Sequence, residues 1–409
     1  MDQPQPTPEK LRRVLSLPLL VFYGVGVTVG AGIFALIGEV LRLAGNAAPV
    51  SFVLAGVIAG MTGLSYALLV RVFPRAGGEA VFVNVGLGPL AGKIAGLGVS
   101  VTGIISSAVI ALAFAGYASI FVPLPPKVLA VSVIVLLTAV ACWGVLESVL
   151  FAAVITLAET GVLAVTVMFG TPLIVEALAE LPRTGIVLGP VSAAGVLAAT
   201  VLAFFAFIGF EDIENMAEET RNPRRTAPRA IAWTLAITVL IYVAVSVVSV
   251  LAPDRAAIAG SSAPMSMLFT QVSGLDGRPV AAVSALAMVN GILIQMVMAA
   301  RVFYGMANEG LLPKWLGDVH PRRRTPIRAT LLVAAAIIVL TLFFPLVRLA
   351  EMTSMVTLTV FALVNLSLFA IGRRSDDAML RRFRYWGIAA ATICVLLIAW
   401  HAVAGGGGH

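Results

Sequence analysis

Long uninterrupted apolar runs dictate what this chain can become. Eleven of them occupy most of it, at residues 17–41, 49–72, 92–122, 128–143, 147–174, 191–217, 230–251, 280–307, 327–345, 349–371 and 385–403. A membrane-spanning helix needs about 20 apolar residues, whereas a barrel strand needs about ten, alternating in polarity. The runs here do not alternate. Charged residues are 11% of the chain and apolar residues 60%, against about 25% and 45–50% in soluble domains. A soluble globule and a disordered chain are both excluded. The expectation is an all-α integral membrane protein with eleven transmembrane helices.

The basic residues orient it. With the N-terminus inside, twenty of the 27 Lys and Arg residues fall on the inner side, six on the outer, and Arg301 lies within the eighth run. Positive charge marks the cytoplasmic loops of membrane proteins. The reading is therefore a multi-pass protein of the plasma (inner) membrane, N-terminus cytoplasmic and, with eleven spans, C-terminus outside. The net charge of +7 is accounted for by topology, so no nucleic-acid partner is expected. Residues 1–16 form a polar, Pro-rich tail without a cleavable-signal pattern.

Catalytic chemistry finds little support. Cys142 and Cys394 lie within apolar runs, and the three histidines are His320 in a basic loop and His401 and His409 at the C-terminal end. No HExxH motif is present, and no nucleophile–base pair shares a span. Neither an enzyme, a metal site nor a cofactor is expected. A channel would need a polar filter such as TVGYG, and no such run occurs.

Two runs read as interrupted. The first, LPLLVFYGVGVTVGAGIFALIGEV, holds Gly24, Gly26, Gly30, Gly32 and Gly38. Close packing through small residues explains such spacing. So does a helix broken around Gly30-Ala31-Gly32, whose free N–H and C=O groups would hold a ligand near the bilayer midplane. In the sixth run, Gly209 is followed by Glu211, Asp212 and Glu214, too many acids for lipid contact. A second half-helix starting near Gly209 would place them in its first turn, where the helix dipole favours them. Interruptions five spans apart point to two five-helix repeats of inverted topology, because an odd number of spans flips the second. The repeats would cover 17–174 and 191–371, and 385–403 would be an additional helix.

Four blocks carry a family resemblance: GVGVTVGAGIF (24–34), FPRAGGEAVFV (73–83), FFAFIGFEDIENMAEETRNPRRTAPRAI (204–231) and RVFYGMANEGLLPKWLGDVHPRRRTP (301–326). They resemble, in order, signatures of the amino acid–polyamine–organocation (APC) transporters, over roughly residues 15–371. The resemblance implies ten core helices and alternating access about a central site. This chain has one helix after the core where the family usually has two. Carried over, the substrate carboxylate would meet the N–H groups of Ala31 and Gly32, beside Gly30. The ammonium would meet the carbonyls of Thr28, Phe205 and Ile208, next to Gly209, and the Phe205 ring would cover the substrate. A zwitterion in a dry cavity needs both poles satisfied, and opposed half-helix ends can do this.

Glu159 lies near mid-membrane in VLFAAVITLAETGVLAV, where a carboxylate costs at least about 2.5–3.5 kcal/mol. A neutral, hydrogen-bonded glutamic acid without a transport role is one reading, and a proton carrier is the other. By the resemblance it occupies a position often held by lysine in proton-coupled members, and its opposite charge prevents a simple transfer of role. Glu211 is the second coupling candidate. Sodium is disfavoured, because after Ser284 the eighth run has no Ser or Thr up to Ala307. Arg301 with Glu218 and Glu219 is a possible inner gate, and snorkelling to the interface explains Arg301 equally well. The expected function is secondary active transport of an amino acid, as proton symporter or exchanger. The small-molecule substrate, the proton and the lipid bilayer are the expected partners. A polyamine or organic-amine carrier is the rival, since Glu159 or Glu211 could neutralise a second cationic group.

Overall fold

Helix starts in this chain are set by proline. Proline occupies the first or second position of the helices beginning at Leu17, Ala48, Pro89, Pro126, Pro223 and Pro264. Its fixed φ suits a helix and its missing N–H costs nothing there. A computed structural model describes residues 13–74, 77–144, 149–184, 192–308, 310, 312–320, 322–323 and 325–405. Most of the tail (Lys10 and Arg12 included), Arg75, Arg324 and residues 406–409 lie outside them.

Among the described residues the regular elements are helices. They are α1 (Leu17–Val29), α2 (Ala31–Ala44), α3 (Ala48–Val72), α4 (Gly78–Leu87), α5 (Pro89–Ala118), α6 (Pro126–Trp143), α7 (Val149–Thr184) and α8 (Ala193–Phe205). Then come α9 (Pro223–Leu251), α10 (Arg255–Gly260), α11 (Pro264–Ser273), α12 (Arg278–Asn308), α13 (Ile327–Phe343), α14 (Leu346–Arg374) and α15 (Ala378–Gly405). Nine helical stretches among the described residues are long and apolar enough to cross a membrane. The protein is a multi-pass helical membrane protein. Leu17–Val29 and Ile327–Phe343 fall within expected spans but are shorter apolar helices.

The helices depart from the expected spans in three places. Helix α4 lies in the loop expected after the second span, isolated by Gly77 (φ +101) and Gly88 (φ +99). Helix α7 continues to Thr184, a decade beyond the expected end. The sixth run does not resume as an α-helix after its break. Residues 206–209 are turn, and 3₁₀ turns follow at Phe210–Ile213 and Ala217–Glu219.

The most deeply buried long helical stretches are those of α2, α3, α5 and α8. The most apolar windows of the Ala31–Val72 and Pro89–Ala118 stretches and of Ala193–Ile213 are 67% buried, against 17% for Ala153–Glu180 and 28% for Ala378–Ala404. The last two therefore lie at the lipid-facing perimeter. Several buried hydroxyls inside the helices find partners one turn back, as Thr28 does on Gly24 O (2.7 Å) and Thr200 on Val196 O (2.7 Å). Helix α3 packs along α9, α5 along α12 and α6 along α13, while α2 lies against α8.

Candidate substrate site at two helix breaks

The first break is a single residue. Gly30 (φ −41°, ψ −140°) ends α1 and precedes α2 without a side-chain cap. The first N–H groups of α2, those of Ala31 and Gly32 among them, therefore lack intrahelical acceptors. The expected three-residue opening is narrower, because Ala31 and Gly32 already belong to α2. The second break is wider. Gly209 takes φ +122°, a conformation that disfavours a side chain.

The two breaks touch. A Cβ on Gly32 would lie 2.5 Å from Ala206 Cα, and one on Gly209 would lie 2.9 Å from Val27 O. Tyr242, on α9, ties them together: its hydroxyl oxygen stands 2.8 Å from Thr28 O and 2.9 Å from Ala206 O. One hydrogen is thus shared between two carbonyls that the breaks leave free. The isolated phenol in ITVLIYVAVSVV is the only sequence sign of this link.

Thr28 and Phe205 are 2% and 4% exposed and pack about this junction. The Phe205 carbonyl accepts the Ile208 N–H (3.2 Å), so one of its two lone pairs is taken. A cavity of about 20 Å³ adjoins the second break, lined by Ile208, Gly209, Glu211, Asp212 and Glu79, with Thr102, Gln295 and Thr357 from α5, α12 and α14. It has room for about one water. Thr28, Gly30, Ala31, Gly32 and Phe205 surround the same junction without lining that cavity. The breaks are closed on each other.

Glu211 is buried and accepts the Gly209 N–H through Oε2 at 2.8 Å. Glu79, on α4, is buried as well and accepts from Tyr66 Oη at 3.2 Å. It stands within a block quoted for its family resemblance, and the sequence reading gave it no role. Tyr66 is edge-on to Phe82, Phe210 and Phe361 at 5.5–6.2 Å, closing an aromatic floor beside the cavity.

Glu159 is 3% exposed, and its Oε2 has no hydrogen-bond partner. It lies one turn beyond Thr156, against which Gly26 of α1 packs so closely that a Cβ would lie 2.1 Å from Thr156 Oγ1. Arg301 is exposed, whereas Glu218 and Glu219 are half-buried. Among the described ion pairs none joins Arg301 to Glu219. The Glu219 carbonyl instead accepts the Leu15 N–H at 3.0 Å, and Arg221 N–H returns to Leu15 O at 2.9 Å. The N-terminal segment is thereby stitched to the strand of chain that follows the second break.

Comparison with known proteins agrees with this architecture. The amino acid permease family model matches residues 15–407. A Mycobacterium tuberculosis protein known only as a transporter is 34% identical over 90% of this chain and 82% of its own length. The branched-chain amino acid permease of Bacillus subtilis is 26% identical, covering 95% and 88%. Cationic amino acid transporter 3 of Arabidopsis thaliana is 30% identical, covering 89% and 63%. A signature carried across nearly the whole chain, on a helical membrane fold with two facing breaks, places this protein in the amino acid permease family of APC transporters.

Proposed function

We propose that this permease is a secondary active transporter of amino acids that works by alternating access, as a proton symporter or an exchanger. The observation that carries the reading is the meeting of the two breaks, Gly32 on Ala206 and Gly209 on Val27 O, under the shared Tyr242 hydroxyl. When they part, the Ala31 and Gly32 N–H groups suit a carboxylate, and the carbonyls of Thr28, Phe205 and Ile208 suit an ammonium. Phe205 then covers the substrate.

The packing supports an eleven-span, 5+5 inverted-repeat arrangement with the halves at 17–174 and 191–371. Helices α3 and α9, α5 and α12, and α6 and α13 occupy equivalent places in the two halves, and each pair is in contact. The excess of Lys and Arg supports a cytoplasmic N-terminus and an outward C-terminus in the inner membrane. Glu159 is the proton carrier: it is buried, it lacks a partner for Oε2, and mid-membrane carboxylates mark proton relays. Glu211 is the alternative carrier.

A second reading, transport of a cationic amino acid or amine, is favoured by the acids Glu79, Glu211 and Asp212 on the cavity wall. Uptake of labelled leucine, arginine and putrescine into proteoliposomes, under imposed proton or sodium gradients, tests both. Accumulation of leucine driven by protons supports the first reading, and a preference for arginine or putrescine the second. Single-channel currents, or no uptake of any of the three, would overturn both.

A further inference from the structure

Glu214 is the least provided-for polar side chain near the second break. It is 0% exposed, and neither carboxyl oxygen has a hydrogen-bond partner. Its carboxyl group lies beside that of Glu79 and presses on Gly78, where a Cβ would overlap Oε1 at 1.3 Å. Only glycine makes room for it, and Gly78 sits at φ +32°.

Donor accounting around the cluster is one-sided. Glu79 Oε1 has the Tyr66 hydroxyl, Glu211 Oε2 has the Gly209 N–H, and Asp212 has the Asn215 side chain. Glu214 has no donor, and the group beside it is another acceptor. Buried polar groups are almost always paired, and an ionised carboxylate only accepts, whereas a protonated one donates. The described ion pairs include none of these acids, and among the described residues no His, Cys, Asp or Glu group could hold a metal ion. The walls from α5, α12 and α14 contribute Thr102, Gln295 and Thr357, without charge.

We propose that Glu214 holds a proton and donates it to Glu79, and that this carboxylic acid–carboxylate bond is a proton-operated latch fastening α4 to the segment after the second break. Two features make it a latch. Its halves lie on different elements, α4 and residues 212–215, and beside it Gly77 N–H, at the N-cap of α4, donates to Asn215 Oδ1 at 3.2 Å. Glu79 also lines the small cavity beside Gly209, so separation of the pair opens that cavity. When the proton leaves Glu214 for water, two carboxylates face each other in a dry site, and their repulsion drives α4 off the segment. The latch does not depend on the identity of the substrate, and it operates as a proton site whether or not the transport reading above holds.

The test needs no substrate. Spin labels at Val85 on α4, 46% exposed, and at the exposed Arg221, in a background with Cys142 and Cys394 replaced by serine, report the separation of the two elements. Distance distributions from pH 5 to pH 9 should show one short population at low pH and a growing longer one at high pH. Glu214→Gln supplies an N–H donor that does not titrate and should hold the short population throughout. A distribution of the labelled protein with Glu214 intact that does not change across that range overturns the proposal, and this result does not depend on any change at Glu214. A Glu214→Gln protein that still responds like wild type also overturns it, placing the titrating group elsewhere, at Glu211 or Asp212.

Discussion

Gly32 and Ala206 stand in direct contact, with room for a Cβ on Gly32 only if the Ala206 backbone, 2.5 Å from it, moves. The glycine is therefore an interface residue between two broken helices as well as a source of N–H groups. A substitution there must act on both packing and binding.

Gly32→Val should lower the melting temperature of the purified protein and abolish substrate binding together. Overpacking of this kind costs about 1–3 kcal/mol. Gly32→Ala should be partly rescued by Ala206→Gly, which opens space on the facing backbone. Thermal melts of both single variants and the double variant give the coupling. Strict additivity would mean that the two residues do not meet.

Tyr242→Phe removes the hydroxyl that Thr28 and Ala206 share. Unpairing buried carbonyls costs about 1–3 kcal/mol, so the variant should melt earlier with no change in helix content. Its affinity for substrate should change too, because Thr28 O is one of the groups expected to meet the ammonium. A variant indistinguishable from wild type in both measurements would remove Tyr242 from the site.

Phe205→Ala should weaken substrate binding beyond its effect on stability, which for a buried Phe→Ala change is about 3–5 kcal/mol. Phe205→Trp should keep binding and shift the preferred substrate size. Titration calorimetry on the folded fraction separates the two effects. Unchanged affinity in the alanine variant would reduce Phe205 to core packing.

Glu159→Gln keeps size and fixes the neutral state. It should retain binding and exchange yet lose proton-driven accumulation and most of its pH dependence. Continued accumulation under a pH gradient would move the carrier role to Glu211. Uptake that requires sodium in both proteins would refute proton coupling altogether.

Near the end of α3, Arg71 Nη2 reaches Asp377 Oδ2 at 2.8 Å and Oδ1 at 3.2 Å, fastening that helix to the loop before α15. Burial pushes the Asp377 carboxyl up, but the Leu380 N–H, the Arg71 guanidinium and the Met379 N–H outweigh it and hold the group below its usual range. A depressed folded value means that the contribution is full above the unfolded carboxylate value of about 3.9 and is lost as pH falls through the folded one. Asp377→Asn should cost about 0.2–1 kcal/mol at neutral pH, and the cost should vanish only as pH falls through the folded value, below the usual carboxylate range. Equal losses above and below that value would show that the carboxylate charge plays no part.

Apolar run length made the helical membrane fold legible in the sequence, since it reports directly on partition between lipid and water. The glycines at 30 and 209 marked the breaks for a similar local reason: each leaves helical geometry, Gly30 at ψ −140° and Gly209 at φ +122°. Local signals could not show how the chain continues beyond Gly209. There the chain forms 3₁₀ turns packed against α1, α3 and α9 instead of a half-helix. Tyr242 lies 36 residues from Ala206 and 214 from Thr28, and Glu79 lies far along the chain from Glu214. Hydrogen bonding and charge contact depend on distance in space, so only the tertiary fold could make a tyrosine in an apolar helix the tie between two breaks. The same fold set two glutamates face to face.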